Sequence, residues 1–326
     1  MTTNPERPGS VLSGQDKPVV IVAGPTGVGK TSLSILLARA LDTEIISADS
    51  MQIYCGMDIG TSKPSDSELK EVRHHLINIL SPAGSFSAGM FKKMATEIIG
   101  GLHSRSMTPV VVGGTGLYIK TLTTGLFEGP EADWTLREKL LEEERSSGEG
   151  HLYERLKQID PVSAGKISRK DTRRVVRALE VALSGSKPIS ELQHLSTVPQ
   201  PYSFIKIGLS RERKELYRLI EQRVDVMMEK GLLRETEKLL KTKPGRTALQ
   251  ALGYKEMQLY MNGITSLEES VRLLKKRTKM YAKRQFTWFK KERHIRWIDI
   301  TGMTDMEKIF KKIINDVAPI RKLLTG

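Results

Sequence analysis

Eight residues near the N-terminus have the types and spacing of a loop that binds phosphate groups. They are Gly24, Pro25, Thr26, Gly27, Val28, Gly29, Lys30 and Thr31, a full match to G-x-x-x-x-G-K-[ST]. The glycines allow backbone N–H groups to converge on phosphate oxygens, and the N-terminus of a following helix attracts negative charge. Lys30 offers a positive charge, and the hydroxyl of Thr31 can bind Mg²⁺. The motif predicts a pyrophosphate-containing ligand, but it does not specify the reaction.

Two more polar residues follow predicted strands and belong to the same candidate site. Asp49 comes directly after residues 43–47, and Thr115 follows residues 108–112 within the sequence GGTG. Ligands of open α/β sheets bind beyond the carboxyl ends of the strands. Asp49 is therefore a metal ligand, a general base on a second substrate, or a helix cap or turn residue. The hydroxyl of Thr115 either lies at the mouth of the site or only stabilises a turn.

Positive charge is concentrated in the C-terminal part of the chain. Residues 1–200 contain 23 Lys and Arg and 23 Asp and Glu, whereas residues 201–326 contain 29 and 15 and so carry the whole net charge of +14. Residues 272–296 include eleven Lys and Arg, one acid (Glu292) and four aromatic residues. Basic side chains bind phosphates and aromatic rings stack on bases. The segment is either a docking face for nucleic acid or a solvated basic surface with its aromatic residues in the core.

Three arginines lie close together on another predicted helix. Arg177 follows Arg173 by four residues and Arg174 by three, so the three side chains are near neighbours on a helix. They either clamp a phosphodiester backbone or form an ordinary surface.

A metal site built from histidine or cysteine is not favoured by the sequence. His74 and His75 are adjacent, and adjacent residues of a strand point to opposite faces, which argues for structural roles. Cys55 is the only cysteine, so neither an internal disulfide framework nor a cysteine-rich metal site can form.

The predicted strands and helices around these residues indicate an α/β core that would position them. Residues 18–23, 43–47 and 108–112 are predicted strands, and helices are predicted after the glycine-rich loop and over 91–102. This alternation predicts a doubly wound parallel sheet of the P-loop NTPase type. Residues 202–209 are predicted to return to the sheet as a strand. Helices are predicted over 211–230, 232–240 and 267–291, which form a basic C-terminal region.

A helical insertion interrupts this core. Residues 134–147, 151–158 and 171–184 are predicted helices with no strand between them, with Asp171 or Thr172 as an N-cap and Gly185 after the C-terminus of the third. We therefore expect a disordered leader at 1–16, a core at 17–130 and 196–326, and an insertion at 131–195.

Composition argues for a globular protein without a membrane span. Hydrophobic residues make up 39% and charged residues 28% of the 326 residues, and no run approaches the roughly 18 apolar residues that span a bilayer. The first 16 residues lack the apolar stretch of a signal peptide. We expect a cytoplasmic protein.

Taken together, these segments resemble the tRNA dimethylallyltransferases, also called tRNA isopentenyl-diphosphate transferases. The resemblance extends from about residue 18 to 297 and is most specific in DSMQIYCGMDIGT (49–61) and AKRQFTWF (282–289). Arg73 stands where the family commonly has proline, and Phe86 where tyrosine is common. The Arg73 departure touches no predicted catalytic group, and Phe86 lacks the hydroxyl that tyrosine would provide.

The resemblance implies transfer of a dimethylallyl group from its diphosphate to N6 of adenine 37 in tRNAs that read codons beginning with U. Asp49 would be the general base, Arg223 would bind the diphosphate with Lys30, Thr115 would help hold the reacting groups, and Thr31 would bind Mg²⁺. The partners would be a tRNA anticodon stem-loop and dimethylallyl diphosphate, and the protein would be a monomer. The implied tRNA contacts are Asp49, Ser50, Met51, Gln52, Thr115, Arg137, Arg173, Arg174, Val175, Val176, Arg177, Gln250, Ala251, Leu252, Gly253, Tyr254, Lys255, Lys283, Arg284, Gln285, Trp288 and Lys290.

Three other functions remain open from the residues alone. A small-molecule P-loop kinase would explain the loop and Asp49, but it would not need the basic C-terminal region. An adenylate prenyltransferase would use the same chemistry on a free nucleotide. An RNA-binding P-loop protein without catalysis would not need Asp49 and Thr115 beside Lys30.

Overall fold

The computed structural model describes residues 17–125, 129–130, 132–185, 187–196 and 200–325. The predicted leader at 1–16 lies outside the described residues. The chain divides into two compact units, one formed by residues before 121 and after 200, and the other by residues 121–200. The second unit encloses the predicted insertion at 131–195.

A six-stranded parallel sheet forms the centre of the first unit and confirms the predicted fold class. Its strands are β1 (Pro18–Ala23), β2 (Ile45–Ser47), β3 (His74–His75), β4 (Val110–Gly113), β5 (Ser203–Ser210) and β6 (Ile295–Asp299). They are arranged in the order β3-β2-β4-β1-β5-β6. The strands β3 and β6 were not predicted, because two histidines and the mixed sequence IRWID carry no clear strand pattern.

The helices are, in chain order, α1 (Lys30–Ala40), α2 (Asp66–Glu71), α3 (Ala88–Ser104), α4 (Gly116–Thr124), α5 (Trp134–Ser147), α6 (His151–Ile159), α7 (Pro161–Ala164), α8 (Thr172–Ser184), α9 (Ile189–Ser196), α10 (Arg213–Glu229), α11 (Leu232–Lys241), α12 (Arg246–Leu249), α13 (Tyr254–Met261), α14 (Leu267–Phe289), α15 (Met306–Asp316) and α16 (Ala318–Thr325).

The strand order brings three loops together at the carboxyl edge of the sheet. Strand β1 pairs with β4 and β5, and β4 also pairs with β2. The last residues of β1, β2 and β4 are therefore neighbours, and the P-loop, the Asp49 loop and the GGTG loop all begin there. Residues 19–23 are fully buried, as expected for a central parallel strand covered on both faces.

The second unit is built from helices α5 to α9. Its core contains Leu140, Leu152, Leu156 and Leu179. The side chain of Asp171 caps α8 by accepting a hydrogen bond from the Arg174 N–H at 3.2 Å, as predicted. Gly185 ends the helix in an extended conformation with φ −122° and not in a left-handed one.

Candidate active site

The P-loop connects β1 to α1 and has the conformation its glycines predict. Gly24, Gly27 and Gly29 have φ values of 147°, 82° and 108°, which favour glycine over other residues. Gly29 precedes the first residue of α1 and supplies no side-chain cap, so the N–H groups of the first turn face the loop uncapped. The loop is therefore shaped to receive an anion.

Lys30 lies in this loop as a partly desolvated cation. Its Nζ donates a hydrogen bond to the Pro25 carbonyl at 3.0 Å. Burial lowers the pKa of Lys30 to about 8, the Asp49 carboxylate opposes that shift, and Arg223 adds to it. These effects show that the three charged groups share one local environment. An anion bound in the loop would favour the charged form of Lys30.

Arg223 reaches the same loop from α10. Its Nη2 donates to the Thr26 hydroxyl at 2.8 Å. Burial lowers the pKa of Arg223 to about 10, again opposed by Asp49. Its Nε is buried and has no hydrogen-bond partner among the described residues. Because buried polar groups are rarely left unpaired, this donor marks a place for a ligand acceptor.

The Asp49 loop is held in place by its own backbone and by Thr115. One oxygen of the Asp49 carboxylate, Oδ1, accepts from the Met51 N–H at 2.9 Å. The Thr115 hydroxyl accepts from the Ser50 N–H at 3.0 Å and donates to the Ser50 hydroxyl at 3.3 Å. The Asp49 carboxylate is thus oriented before any substrate binds. Thr115 was predicted as a reacting-site residue, and its contacts in this structure are with the loop that carries Asp49.

Gln52 closes the base of the same loop. Its carbonyl oxygen accepts from the Ser47 hydroxyl at 3.0 Å, and its amide nitrogen donates to the carbonyls of Thr61 and Ser62 at 3.4 and 3.2 Å. The side chain that was predicted to contact tRNA is therefore occupied by bonds within the protein.

Gln285 joins the P-loop to the GGTG loop. Its Oε1 accepts from the Thr26 N–H at 2.8 Å, and its Nε2 donates to the Gly114 carbonyl at 2.9 Å. The residue is only 6% exposed. A Cβ at Gly114 would lie 2.2 Å from Gln285 Nε2, so helix α14 can approach only a glycine here. Thr26 is consequently fixed by two side chains, Gln285 from α14 and Arg223 from α10.

We expect Gln285→Leu to raise the KM for a ligand that binds the P-loop through its diphosphate by at least about tenfold. The change leaves the Thr26 N–H and the Gly114 carbonyl unpaired, at a cost of about 1–3 kcal/mol for each buried group. Steady-state kinetics with varied diphosphate would measure the effect. Thr287→Ala on the exposed face of α14 is the control, since the Thr287 hydroxyl bonds only to the Lys283 carbonyl. An unchanged KM in Gln285→Leu would show that this bridge does not shape the loop.

The segment from Gln250 to Lys255 has a structural role that the sequence did not predict. Tyr254 is 1% exposed and donates a hydrogen bond from its hydroxyl to Glu235 at 2.6 Å. Glu235 on α11 also accepts from the N–H groups of residues 58, 59 and 60 at 2.9–3.1 Å. This carboxylate shapes the chain that follows the Asp49 loop.

Two of the predicted tRNA contacts of the second unit, Arg137 and Arg177, are engaged in an ion-pair network. Arg137 binds both oxygens of Glu180, through Nε at 2.8 Å and Nη2 at 2.9 Å, and Arg177 donates to the same carboxylate at 2.5 Å. Glu180 is fully buried. Burial acts to raise the pKa of Glu180, but these hydrogen bonds outweigh it and hold the pKa below its usual value. Arg173 and Arg174 are exposed.

Replacing Glu180 is expected to destabilise the second unit. Glu180→Gln leaves two arginines without their buried counter-charge, at a cost of about 3 kcal/mol. In the wild type, the ionised Glu180 carboxylate contributes its full stabilisation when the pH is above the pKa of an unfolded glutamate, about 4.3. This stabilisation is lost as the pH falls through the lower pKa of Glu180 in the folded protein. Hydrogen exchange of the α8 amides measures the change. Glu154→Gln is the control, since its pair with Lys157 is exposed and contributes at most about 1 kcal/mol. Equal protection in both variants would contradict this role for Glu180.

The predicted RNA contacts differ in how far they are buried. Six of the predicted contacts are buried in this structure: Val175, Val176, Ala251, Gly253, Tyr254 and Gln285. On α14, by contrast, Lys283, Arg284, Trp288 and Lys290 are exposed, and Trp288 is 36% exposed. Gln250 and Lys255 form a hydrogen bond with each other at 3.0 Å at the surface.

The histidine pair lies on β3 and has structural partners. His75 Nε2 pairs with Glu44, and a ring nitrogen of His74 bonds to the Val72 carbonyl at 2.8 Å. No group of three or more His, Cys, Asp or Glu that could hold a metal ion occurs among the described residues. In the same part of the chain, no helix is long and apolar enough to span a membrane.

A family model and the sequence relatives of this chain all indicate the same protein family. A family model described as IPP transferase matches residues 52–292. A tRNA dimethylallyltransferase from Thermodesulfovibrio yellowstonii is 52% identical over 93% of this chain and 98% of its own length. One from Geobacter sulfurreducens is 44% identical over 90% and 95%.

Solved structures agree with the sequence relatives. The full-length tRNA isopentenylpyrophosphate transferase from Bacillus halodurans has a TM-score of 0.70 at 40% identity, over 95% of this chain and 98% of that one. A eukaryotic dimethylallyltransferase acting on tRNA has a TM-score of 0.77 at 29% identity, over 95% and 84%. The chain therefore belongs to the IPP transferase family, and it is a transferase.

Proposed function

We propose that this protein transfers a dimethylallyl group from dimethylallyl diphosphate to N6 of adenine 37 in tRNAs that read codons beginning with U. The observation that carries the proposal is the convergence of Lys30, Arg223 and Asp49 at one edge of the sheet. Two desolvated cations beside a phosphate loop suit a diphosphate leaving group, and an oriented carboxylate suits proton removal from an amine. The names of the relatives above support the coarser part of this proposal, dimethylallyl transfer to tRNA.

Departure of the diphosphate is the step of the reaction that requires the most stabilisation by the protein. The N6 lone pair is delocalised into the adenine ring and attacks weakly, whereas the allylic carbon supports positive charge by resonance. As the C–O bond breaks, its electron pair moves onto the diphosphate. The P-loop N–H groups, Lys30 and the fork of Arg223 would stabilise that charge. Asp49 would take the N6 proton as the C–N bond forms.

A divalent metal ion is used by enzymes of this family. The oxygen donors available here fit Mg²⁺, which commonly takes one or two protein ligands and completes its shell with phosphate oxygens and water. Thr31, at the start of α1, would provide the protein hydroxyl. When bound, the ion would neutralise diphosphate charge. A nucleoside triphosphate is not required by this scheme.

The tRNA would be held by the surfaces that remain exposed. Lys283, Arg284, Trp288 and Lys290 on α14 offer cations and an aromatic ring, and Arg173 and Arg174 offer two more cations. Adenine 37 is stacked in the anticodon loop, so it must turn out of the stack to reach Asp49. We further propose that the protein acts as a monomer in the cytoplasm.

An acceptor competition tests the proposed function against its rivals. The protein is incubated with labelled dimethylallyl diphosphate, a tRNA transcript and AMP, and separately with labelled ATP and common metabolites. We expect label in tRNA and little in AMP. Preferential labelling of AMP would favour an adenylate prenyltransferase, and phosphoryl transfer faster than prenyl transfer would favour a kinase. Binding of tRNA without any transfer would indicate a non-catalytic RNA-binding protein.

A further inference from the structure

A basic groove lies between α10 and α14, outside the candidate active site. It has a volume of about 320 Å³ and is lined by Arg213, Tyr217, Lys276, Lys279, Met280 and Lys283. We call it the Tyr217 groove. Four of its six lining residues are cations, and none is a carboxylate.

The Tyr217 ring is enclosed by two of these cations. The Arg213 guanidinium lies 5.1 Å from the ring centroid and its Nε donates to the Tyr217 hydroxyl at 3.0 Å. The Lys279 ammonium lies 5.7 Å from the same centroid and pairs with Glu221 on α10. The ring is therefore already covered by cations, which argues against stacking of a nucleic-acid base on it. The Tyr217 ring instead stabilises the positions of the Arg213 and Lys279 side chains through cation–π contacts.

Three of the four cations in the groove form no ion pair with a described carboxylate. Of its four cations, only Lys279 has a carboxylate within 4.0 Å among the described residues. Lys276 and Lys283 are exposed, and so is Arg213. Like charges held this close repel one another, so the groove favours an anionic ligand.

The spacing of the lysines along α14 indicates what kind of anion the Tyr217 groove would bind. Lys276, Lys283 and Lys290 are seven residues apart and lie along one exposed face of the helix. From Lys276 to Lys290 this face extends about 21 Å at 1.5 Å per residue. Lys276 is also about 14 Å along the helix from Gln285, which contacts the P-loop. A line of cations this long suits a polyanionic strand, and the groove end of the line is separate from the diphosphate site.

We infer that the Tyr217 groove binds the phosphodiester backbone of the bound tRNA and extends the RNA-binding face of α14 onto α10. The inference rests on the proposed tRNA substrate. The contact would depend on charge and not on base sequence, because two cations already lie over the Tyr217 ring and four of the six lining residues are cations.

The double variant Arg213→Ala/Lys276→Ala tests the groove. We expect its Kd for a tRNA transcript to rise about tenfold near physiological salt, and the slope of log Kd against log salt to fall by about 1–2, since each lost phosphate contact removes about 0.7–0.9. The matched control is Lys308→Ala/Lys311→Ala, which removes two exposed cations from α15, a helix that lines no part of the groove. Its Kd should change less than twofold.

Two further measurements keep the outcomes distinct. The charge-preserving variant Arg213→Lys/Lys276→Arg should retain most of the tRNA affinity, and a loss equal to that of the alanine variant would contradict an electrostatic contact. If the wild type prenylates tRNA but the alanine variant matches the control in both Kd and salt slope, the groove inference is wrong and the proposed function stands. If the wild type neither binds nor prenylates tRNA, both are wrong.

Discussion

Asp49→Asn is expected to reduce kcat for prenyl transfer by about 10²–10⁴, the usual contribution of a general base. The amide keeps an oxygen for the Met51 N–H, which holds Oδ1 of Asp49 at 2.9 Å, so the loop should keep its shape. The amide cannot accept the N6 proton. Single-turnover prenyl transfer at saturating tRNA and dimethylallyl diphosphate measures the chemical step directly.

The control for Asp49 is Asp58→Asn. Asp58 lies nine residues after Asp49, but its side chain is 55% exposed and pairs with Lys63. We expect little change in its transfer rate. A loss in Asp49→Asn that is confined to tRNA affinity, with a normal rate at saturation, would contradict the general-base role.

Arg223→Ala should lower kcat/KM for dimethylallyl diphosphate by about 10²–10³, comparable to the loss of one strong donor to a developing oxyanion. The variant loses a desolvated charge and the Nη2 bond to the Thr26 hydroxyl at 2.8 Å. Arg223→Lys keeps a charge without the planar fork and should lie between the wild type and the alanine variant. Steady-state kinetics with varied diphosphate at saturating tRNA measures all three.

Arg218→Ala is the matched control, because Arg218 lies on the same helix and is exposed. It should leave diphosphate kinetics within about twofold of the wild type, as surface substitutions usually change free energies by less than about 0.5 kcal/mol. Unchanged diphosphate kinetics in Arg223→Ala would remove Arg223 from the leaving-group site.

Local patterns were sufficient to predict much of the fold. The apolar run at 18–23 became β1, residues 134–147 form α5 with the predicted bounds, and Asp171 caps α8. Each of these features depends on residues within a few positions of one another. The P-loop was predictable for the same reason, since its eight residues are contiguous.

Contacts between distant residues could not be predicted in this way. Gln285 was expected to contact tRNA, yet it bonds to Thr26, 259 positions earlier in the chain. No local sequence pattern indicated that Glu180 would be buried, because its partner Arg137 lies 43 residues away. Glu235 likewise shapes a loop 175 to 177 positions distant. Helical periodicity identifies the residues that share one face of a helix, but it does not predict which distant residues will contact that face.

The contacts of α14 give the two substrates a structural connection. Its exposed face carries Lys283 and Lys290, while its buried face carries Gln285 against the P-loop. One rigid element therefore joins the proposed RNA surface to the proposed diphosphate loop.

Mass spectrometry of an anticodon stem-loop tests directly whether the protein transfers a dimethylallyl group to adenine 37. The RNA, with adenine at position 37, is incubated with the protein, Mg²⁺ and dimethylallyl diphosphate, then digested and sequenced by mass. We expect a gain of one dimethylallyl group on adenine 37 with the wild type and almost none with Asp49→Asn. An unmodified stem-loop, or modification at a different base, would contradict it.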